Sequence, residues 1–289
     1  MPLSSLRHLL RPILGKGYFR RPGLRWIARV VRQRYRPESI LVRNRRLYLN
    51  PHDAEVSGEL AIHGAYEQRE VDLMLGEIGT GDTVVDVGAH IGYMTLLFSS
   101  VVGASGRVLS FEPDPTNRSY LERTVAELPE KNVTIHPIAA WRESAMLPWH
   151  RSGTNTGDHS LLPSEEREQS SEQVRAERLD DIIAPGTSIA LLKMDVQGAE
   201  AAAFDGMGRI LRENPPRTML VELMPHLMTK GGEDPERIVR QLLDVGYTIR
   251  MISDYDDLDE AIESYEPILR HCREEWQFVN LFCRLPAAT

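Results

Sequence analysis

The chain has 289 residues, of which 42% are hydrophobic, and a formal net charge of -8 at pH 7. This composition is ordinary for a soluble globular protein, and no apolar run reaches the ~20 residues that a membrane-spanning helix needs. Cys272 and Cys283 have neither the spacing of a metal site nor the number needed for a disulfide framework. We therefore expect reduced thiols and a cytoplasmic location.

The N-terminal part of the chain is strongly basic. Residues 1–36 contain ten Lys and Arg and no acidic residue, which leaves 24 basic against 42 acidic residues in the remainder. The pattern predicts a basic extension, drawn here as residues 1–64, that is either a solvated helix packed on the domain or an arm for peripheral contact with an anionic membrane. Pro12, Pro22 and Gly23 interrupt any long helix and favour the first interpretation. The acidic remainder argues against a nucleic-acid partner.

Apolar runs alternate with helical patterns from about residue 65 to the end of the chain. They predict strands at 83–89, 107–112, 133–138, 189–196 and 218–223, and helices at 91–102, 116–128, 199–212 and 235–245. "YTIRMI" and "WQFVNLFCRL", joined by an acidic segment, supply a final strand pair with one antiparallel strand. The pattern predicts an α/β domain over residues 65–289, with a mostly parallel sheet and helices on both faces.

The alternation of apolar runs and helical patterns is interrupted at about residues 141–180. "SAMLPWH" and "EQVRAERL" predict short strands around a polar loop. An insertion at the carboxyl end of a strand commonly shapes a substrate pocket, which is the role predicted here. For residues 164–173 a disordered surface loop is the alternative.

The stretch "VVDVGAHIGYMTLLF" predicts a ligand-binding turn between a strand and a helix. Asp86 ends the strand, Gly88 and Gly92 punctuate the turn, and Ala89 and His90 lie between them. Glycine lets a ligand approach the backbone, and the start of the helix offers unpaired N–H groups. The spacing is G-x-x-x-G and not the G-x-G-x-x-G of dinucleotide sites, which leaves less room for a pyrophosphate.

Acidic residues end both neighbouring strands. Asp86 can hold a cationic amino group, and Glu112 is placed to accept hydrogen bonds from both hydroxyls of a ribose. A ligand with an amino-acid end, a nucleoside end and no phosphate is S-adenosylmethionine. Helix capping would explain the position of either acid alone. It does not explain two acids at the ends of neighbouring strands at this separation.

Several blocks together resemble the FkbM-type methyltransferases, within the class I S-adenosylmethionine-dependent enzymes. They are "DVGAHIGYMTLLFSS", "VLSFEPDP", "NVTIHPIAAW", "DHSLLP" and, most specifically, "LLKMDVQGAEAAAFDGMGRIL" followed by "LVEL". The resemblance covers roughly residues 65–225. It implies a Rossmann-like, mostly parallel seven-stranded sheet with one antiparallel strand, and it places Ala140 at the cofactor.

The resemblance also implies a reaction, the methylation of a hydroxyl on a sugar, glycan or secondary metabolite. Two residues differ from those common in the family's motifs: His90 replaces Asn, and Gln197 replaces Glu. His90 can still hydrogen-bond. Gln197 cannot act as a base, which removes one candidate from the chemistry.

The attacking hydroxyl needs a group that takes its proton, and Asp195 is the best-placed carboxylate. The alternative roles for Asp195 are contact with the methionine end of the cofactor and capping of the following helix. His159, Glu222 and His226 are the other candidate bases. The acidic residues at 195, 200 and 222 could bind a divalent ion in this topology, but the sequence does not demand one and no metal ligand is assigned.

The sequence therefore predicts an S-adenosylmethionine-dependent O-methyltransferase that acts on a small-molecule or glycan hydroxyl. A nicotinamide-dependent oxidoreductase on a similar sheet is one alternative, against which the missing G-x-G-x-x-G argues. A non-catalytic partner-binding module on the same fold is the other, against which intact Asp86, Glu112 and Asp195 argue.

Overall fold

The computed structural model describes residues 37–53, 55–152, 156, 159–161, 167–253, 258–274 and 277–286, with the backbone alone at 152 and 167–171. The basic arm at residues 1–36 lies outside the described residues, so what the sequence suggests for it stays a prediction. Among the described helices, none combines the length and the apolar character that crossing a bilayer requires.

The described chain forms thirteen strands and ten helices. The strands are β1 (Ser39–Val42), β2 (Arg45–Tyr48), β3 (Thr83–Val87), β4 (Arg107–Phe111), β5 (Val133–His136), β6 (Ala139–Ala140), β7 (Ala145–Ser152), β8 (Arg167–Glu177), β9 (Leu191–Met194), β10 (Thr218–Leu223), β11 (Thr248–Ser253), β12 (Leu258–Ile262) and β13 (Val279–Arg284). The helices are α1 (Val56–His63), α2 (Gln68–Gly76), α3 (Tyr93–Val102), α4 (Pro115–Glu127), α5 (Leu179–Ile182), α6 (Glu200–Asp205), α7 (Gly208–Glu213), α8 (Pro225–Lys230), α9 (Pro235–Val245) and α10 (Glu266–His271).

The central sheet has eight strands in the order β12-β11-β13-β10-β9-β3-β4-β5. The five strands from β10 to β5 are parallel, and β13 runs antiparallel to both β10 and β11. The predicted seven-stranded sheet with one antiparallel strand is confirmed over β11 to β5. The acidic segment expected to be a mere connection forms the eighth strand, β12. Because β12 pairs only with β11 at the sheet edge, most of its residues are exposed and its apolar pattern is weak.

Helices cover both faces of this sheet, as predicted. Val84 and Leu220 pack into the apolar cluster that includes α1, α2 and α3, whereas Val85 and Met219 pack into the cluster that includes α6, α7 and α9. Successive side chains of a strand point to opposite faces, so each strand supplies both clusters. Every residue of β9 and β10 is buried, which explains their continuous apolar runs.

The single helix predicted at 199–212 is in fact two, α6 and α7. A Cβ at Gly206 would lie 2.0 Å from the backbone oxygen of Trp141, so the chain passes very close to the inserted region at this point. Asp180 then accepts hydrogen bonds from two backbone N–H groups of α7, at 2.8 and 3.0 Å. These two tertiary contacts separate the helices, and the helical pattern of the sequence does not reveal them.

Residues 39–63 pack on the sheet domain. Leu47, Leu49 and Leu60 are almost completely buried, in the same cluster as α2 and α3. The backbone N–H of Tyr48 donates to the hydroxyl of Thr124 on α4 at 3.2 Å. The boundary drawn at residue 64 on the sequence therefore does not coincide with a boundary in packing.

The inserted region contains the two predicted strands. They form β7 and β8, which pair with the short β6 in a separate three-stranded sheet. Asp114 joins this sheet to the central one, because one oxygen accepts hydrogen bonds from the Trp149 indole and from Arg151, both at 3.0 Å. Its other oxygen accepts from two backbone N–H groups at the start of α4, at 2.8 and 2.9 Å. The inserted region is thus anchored beside the carboxyl end of β4.

Candidate active site

The turn after β3 depends on a contact that only glycine allows at residue 88. Gly88 has a φ of +80°, and a Cβ on it would lie 1.9 Å from the backbone oxygen of Asp195. The N–H groups of Gly88 and Ala89 both donate to the Phe111 carbonyl at 3.0 Å. The turn therefore ties β3 to the ends of β4 and β9 and exposes its backbone at the carboxyl edge of the sheet.

The rest of the turn combines packing with polar contacts. Gly92 has a φ of +90°, and a Cβ on it would lie 2.6 Å from Leu121 Cδ1, so this glycine serves close packing of α3 on α4. His90 also has a positive φ, +51°, which is uncommon for a residue with a side chain. Its Nε2 lies 2.8 Å from the hydroxyl of Thr156 in the inserted region. Burial lowers the pKa of His90, which favours a neutral ring.

Glu112 follows β4 with its carboxylate against the turn. Oε2 accepts a hydrogen bond from the His90 N–H at 2.7 Å, and Oε1 accepts one from the Asp114 N–H at 2.8 Å. Burial raises the pKa of Glu112 to about 8, although both backbone N–H groups act in the opposite direction. Each carboxylate oxygen has a further lone pair, so Glu112 can still accept hydrogen bonds from a ligand.

Asp86 lies beneath the turn. Strand alternation points its side chain away from the face to which Val87 contributes. Oδ2 accepts from the Thr95 hydroxyl at 2.6 Å, and Lys193 Nζ lies 3.9 Å from Oδ1. Burial raises the pKa of Asp86 despite these two partners. Asp86 is not among the described residues that line the cavity, and its contact with a ligand's amino group, directly or through water, stays a prediction.

Two carboxylates and their donors converge where β9 and β10 end. The Gln197 amide nitrogen donates to Asp195 Oδ1 and to Glu222 Oε1, both at 2.7 Å. Lys193 Nζ lies 3.3 Å from Asp195 Oδ2 and 3.0 Å from the Gly88 carbonyl oxygen. Both oxygens of Asp195 are thus held by a donor, and the sequence analysis did not foresee this role for Gln197.

The side chains that meet at the ends of β9 and β10 have pKa values that are shifted for different reasons. Burial raises the pKa of Glu222 well above its ordinary value, and the charges of Asp195 and Glu67 raise it further. Burial alone would lower the pKa of Lys193, but the carboxylates around it raise the value overall, so the lysine stays protonated. Within the described part of the chain, no three His, Cys, Asp or Glu side chains are grouped so that they could bind a metal ion.

A cavity of about 340 Å³ opens at this edge of the sheet, within the size range of small-molecule sites. Of the residues that the sequence singles out, those that line it are Gly88, Ala89, His90, Glu112, Ala140, His159, Asp195, Gln197 and Glu222. Asp86, Gly92 and His226 are not among the described residues that line the cavity. The structure therefore brings most of the predicted cofactor and base residues to one space.

The two candidate histidines have different surroundings. His159 lies edge-on to the Trp149 ring, with the centroids 6.2 Å apart, and lines the cavity. His226 is in α8, and its Nε2 lies 2.9 Å from the Cys272 carbonyl oxygen. His226 is not among the described residues that line the cavity, and its role as a base stays a prediction.

Glu67 is a cavity residue that the sequence analysis missed. An acidic residue before a helix is ordinarily interpreted as a cap, so the sequence gives no signal of another role. In the structure its side chain makes no capping hydrogen bond, its φ is +46°, and it lines the cavity. Its position depends on how α2 packs on the sheet, which local sequence does not encode.

Solved structures of methyltransferases resemble this fold. An FkbM methyltransferase from Methylobacillus flagellatus KT is 17% identical over 71% of this chain and 44% of its own, with a TM-score of 0.44. A candidate methyltransferase from Streptococcus mutans in complex with SAH is 9% identical over 75% of this chain and 97% of its own, with a TM-score of 0.45. An S-adenosylmethionine-dependent O-methyltransferase from Thermotoga maritima is 10% identical over 80% and 71%, with a TM-score of 0.42. The chain thus spans less than half the length of the M. flagellatus chain.

No curated protein matches the chain at a significant level. The sequence model of the FkbM methyltransferase domain, in contrast, matches residues 86–249, which is more than half of the chain. That range begins at Asp86 in β3 and includes Glu112, Asp195 and Glu222. The chain therefore belongs to the FkbM methyltransferase family, and its cofactor is S-adenosylmethionine.

Proposed function

We propose that the protein is an O-methyltransferase that acts on a hydroxyl of a sugar, glycan or secondary metabolite. The observation that carries this proposal is the position of Asp195, whose carboxylate lines the cavity and is held by Gln197 and Lys193. Methyl transfer to a hydroxyl is an in-line displacement that needs alignment and a group to accept the proton. A carboxylate fixed at the cavity wall can align the hydroxyl and can accept its proton.

The opposite part of the cavity fits the cofactor. Glu112 offers lone pairs to the ribose hydroxyls, and the backbone at Gly88 and His90 lets a ligand approach closely. Ile138 and Ala140 supply an apolar wall for the adenine. Lys193 is the one Lys or Arg among the described lining residues, which suits a ligand without phosphate better than a dinucleotide. S-adenosylmethionine supplies the methyl group when bound.

Asp195 suits the role of base better than Glu222. The Asp195 side chain keeps 30% of its surface exposed, whereas Glu222 is buried. Burial raises the pKa of Glu222 well above its ordinary value, so Glu222 ionises less readily than an exposed glutamate. Glu222 instead holds Gln197, which in turn orients Asp195. His159 lines the cavity and is the alternative base.

The test has a binding arm and a turnover arm. Titration calorimetry with S-adenosylhomocysteine (SAH) measures cofactor-site affinity, and radiolabelled S-adenosylmethionine measures transfer to a panel of methyl hexopyranosides, 6-deoxyhexopyranosides and phenols. Loss of a general base typically costs ~10²–10⁴ in rate, so we expect kcat of Asp195→Asn to fall by that factor with SAH affinity nearly unchanged. A variant that loses SAH affinity but keeps its turnover at saturation would show that Asp195 holds the cofactor.

Two further results would overturn the proposal. Tight binding of NADH with no binding of SAH would favour the oxidoreductase. Binding of SAH with no transfer to any member of the panel would favour a non-catalytic module on the same fold. Transfer to the phenols alone would keep the O-methyltransferase and exclude the sugar.

A further inference from the structure

Glu67 has a backbone conformation that costs free energy. Its φ of +46° and ψ of +54° lie in the left-handed region, which is disfavoured for residues with a Cβ. The position before a helix favours residues whose side chains cap the first turn, and Glu67 makes no such hydrogen bond. The local structure of α2 therefore gives no reason for a glutamate at this position.

The side chain of Glu67 belongs to the same polar group as the proposed base. Burial raises its pKa to about 8, and the charges of Asp195 and Glu70 raise it while Lys193 and a hydrogen bond with the Tyr66 side chain lower it. Glu67 and Tyr66 both line the cavity, and both precede residues 86–249, which match the family model. Glu67 thus brings a further carboxyl group to the cavity that holds Asp195.

We propose that Glu67 is an acceptor-binding residue, which accepts a hydrogen bond from a second hydroxyl of the acceptor while Asp195 serves the hydroxyl that is methylated. The oxygens of a carboxyl group accept hydrogen bonds from O–H donors whether or not the group carries a proton. The proposal deepens the function proposed above and rests on it. It specifies an acceptor with two neighbouring hydroxyls, such as a sugar ring, over a simple alcohol or a phenol.

The variants Glu67→Met and Glu67→Asn separate binding from stability. Methionine keeps the length of the side chain and removes both acceptor oxygens, whereas asparagine tolerates the left-handed conformation and can also cap α2. Glu70→Gln is the matched control: Glu70 lies on the same helix, is buried, and accepts from Asn280 Nδ2 at 3.3 Å outside the cavity lining. If Glu67 serves a ligand, Glu67→Asn should melt about 2–4 °C above the wild type. Glu70→Gln should melt below it.

The kinetic arm uses the methyl hexopyranoside that the wild type methylates best and its deoxy analogue, which lacks the neighbouring hydroxyl. Glu67→Met should raise KM for the full acceptor at least tenfold and leave SAH affinity within twofold. The same substitution should have little effect on the deoxy analogue, because the partner hydroxyl is already missing. Equal losses with both acceptors, an unchanged KM, or a tenfold loss of SAH affinity would overturn the assignment.

Failure of this inference is distinguishable from failure of the proposed function. A wild type that binds SAH but methylates no glycoside contradicts the sugar acceptor, and with it the diol specificity inferred for Glu67. A wild type that methylates a glycoside, together with a Glu67→Asn variant that melts several degrees lower and keeps its KM, contradicts Glu67 alone and assigns it a structural role.

Discussion

The amide nitrogen of Gln197 lies 2.7 Å from Glu222 Oε1, and the same nitrogen lies 2.7 Å from Asp195 Oδ1. Both hydrogens of one amide group are therefore used to hold two carboxylates. Gln197 has a φ of +54°, so its backbone too is in a disfavoured conformation at the cavity. A carboxylate at this position, as is common in the family, could offer at most one hydrogen and only when protonated.

We expect Gln197→Met to lower kcat. Methionine has a similar length but donates no hydrogen bond, so the Asp195 carboxylate loses a donor that positions it. A hydrogen bond to a charged group contributes ~1.5–3 kcal/mol, which corresponds to a loss of about tenfold to a hundredfold in kcat. The measurement is kcat at saturation with the best acceptor of the panel.

SAH affinity is the control for that variant. It should stay within twofold of the wild type, because Gln197 contacts the carboxylates and the loop at Ser160. Gln197→Glu should lower kcat as well, since a carboxyl group at this position cannot donate two hydrogen bonds. An unchanged kcat in both variants would refute the role of the amide.

Part of this site could be predicted from the sequence. Asp195 and Glu222 each stand at the end of an apolar run, and the carboxyl ends of neighbouring parallel strands meet at one edge of a sheet. The same reasoning applies to Glu112 and to the turn at Gly88. These residues line the cavity because the strand periodicity and the sheet topology place them there.

Other parts depend on side-chain direction and tertiary packing, which the sequence pattern does not contain. Asp86 ends a strand just as Glu112 follows one, but the alternation along β3 directs it to Thr95. Gln197 cannot act as a base as a glutamate could, but its amide donates hydrogen bonds to two acids. Glu67 reaches the cavity only because α2 packs on the central sheet.

Glu112 and Asp86 should therefore respond differently to substitution. We expect Glu112→Ala to weaken SAH binding by ~1–3 kcal/mol, since it removes a hydrogen-bond acceptor from the cavity wall. Asp86→Asn should mainly lower Tm, because it disturbs a buried pair with Thr95 and Lys193. Calorimetry with SAH and thermal unfolding of both variants provide the comparison. Equal losses of affinity would instead restore the direct ligand contact predicted for Asp86.

Substitution by alanine should lower the free energy of unfolding far more at Gly88 than at a glycine with a similar φ elsewhere. At Gly88 the added Cβ would lie 1.9 Å from the Asp195 backbone oxygen, so the strands must move apart. Gly232 has a φ of +81°, but no atom lies within 4 Å of a Cβ added there. We expect urea unfolding to show a loss of about 3 kcal/mol or more for Gly88→Ala and about 1 kcal/mol for Gly232→Ala. Similar losses would mean that backbone strain alone makes glycine necessary at residue 88.

Stability should fall as the pH rises from about 5 to 8. Burial raises the pKa of Glu200 to about 8 from its ordinary value of 4.5, and it does the same for Glu112. Between these two values the folded protein retains a proton that the unfolded chain has already lost. Raising the pH through this window therefore favours the unfolded chain.

Glu200→Gln tests this linkage directly. Glu200 is fully buried, its Oε1 accepts from the Gly198 N–H at 2.9 Å, and Oε2 has no hydrogen-bond partner within the described chain. Glutamine keeps the acceptor and cannot ionise, so its Tm should decline less between pH 5 and pH 8.5 than that of the wild type. The advantage of the variant should thus be greatest at the alkaline end, where the wild type has to bury a charge. Exposed Glu143 supplies the matched control, and Glu143→Gln should follow the wild type at every pH. Parallel melting curves for Glu200→Gln and the wild type would show that Glu200 does not cause the alkaline loss of stability.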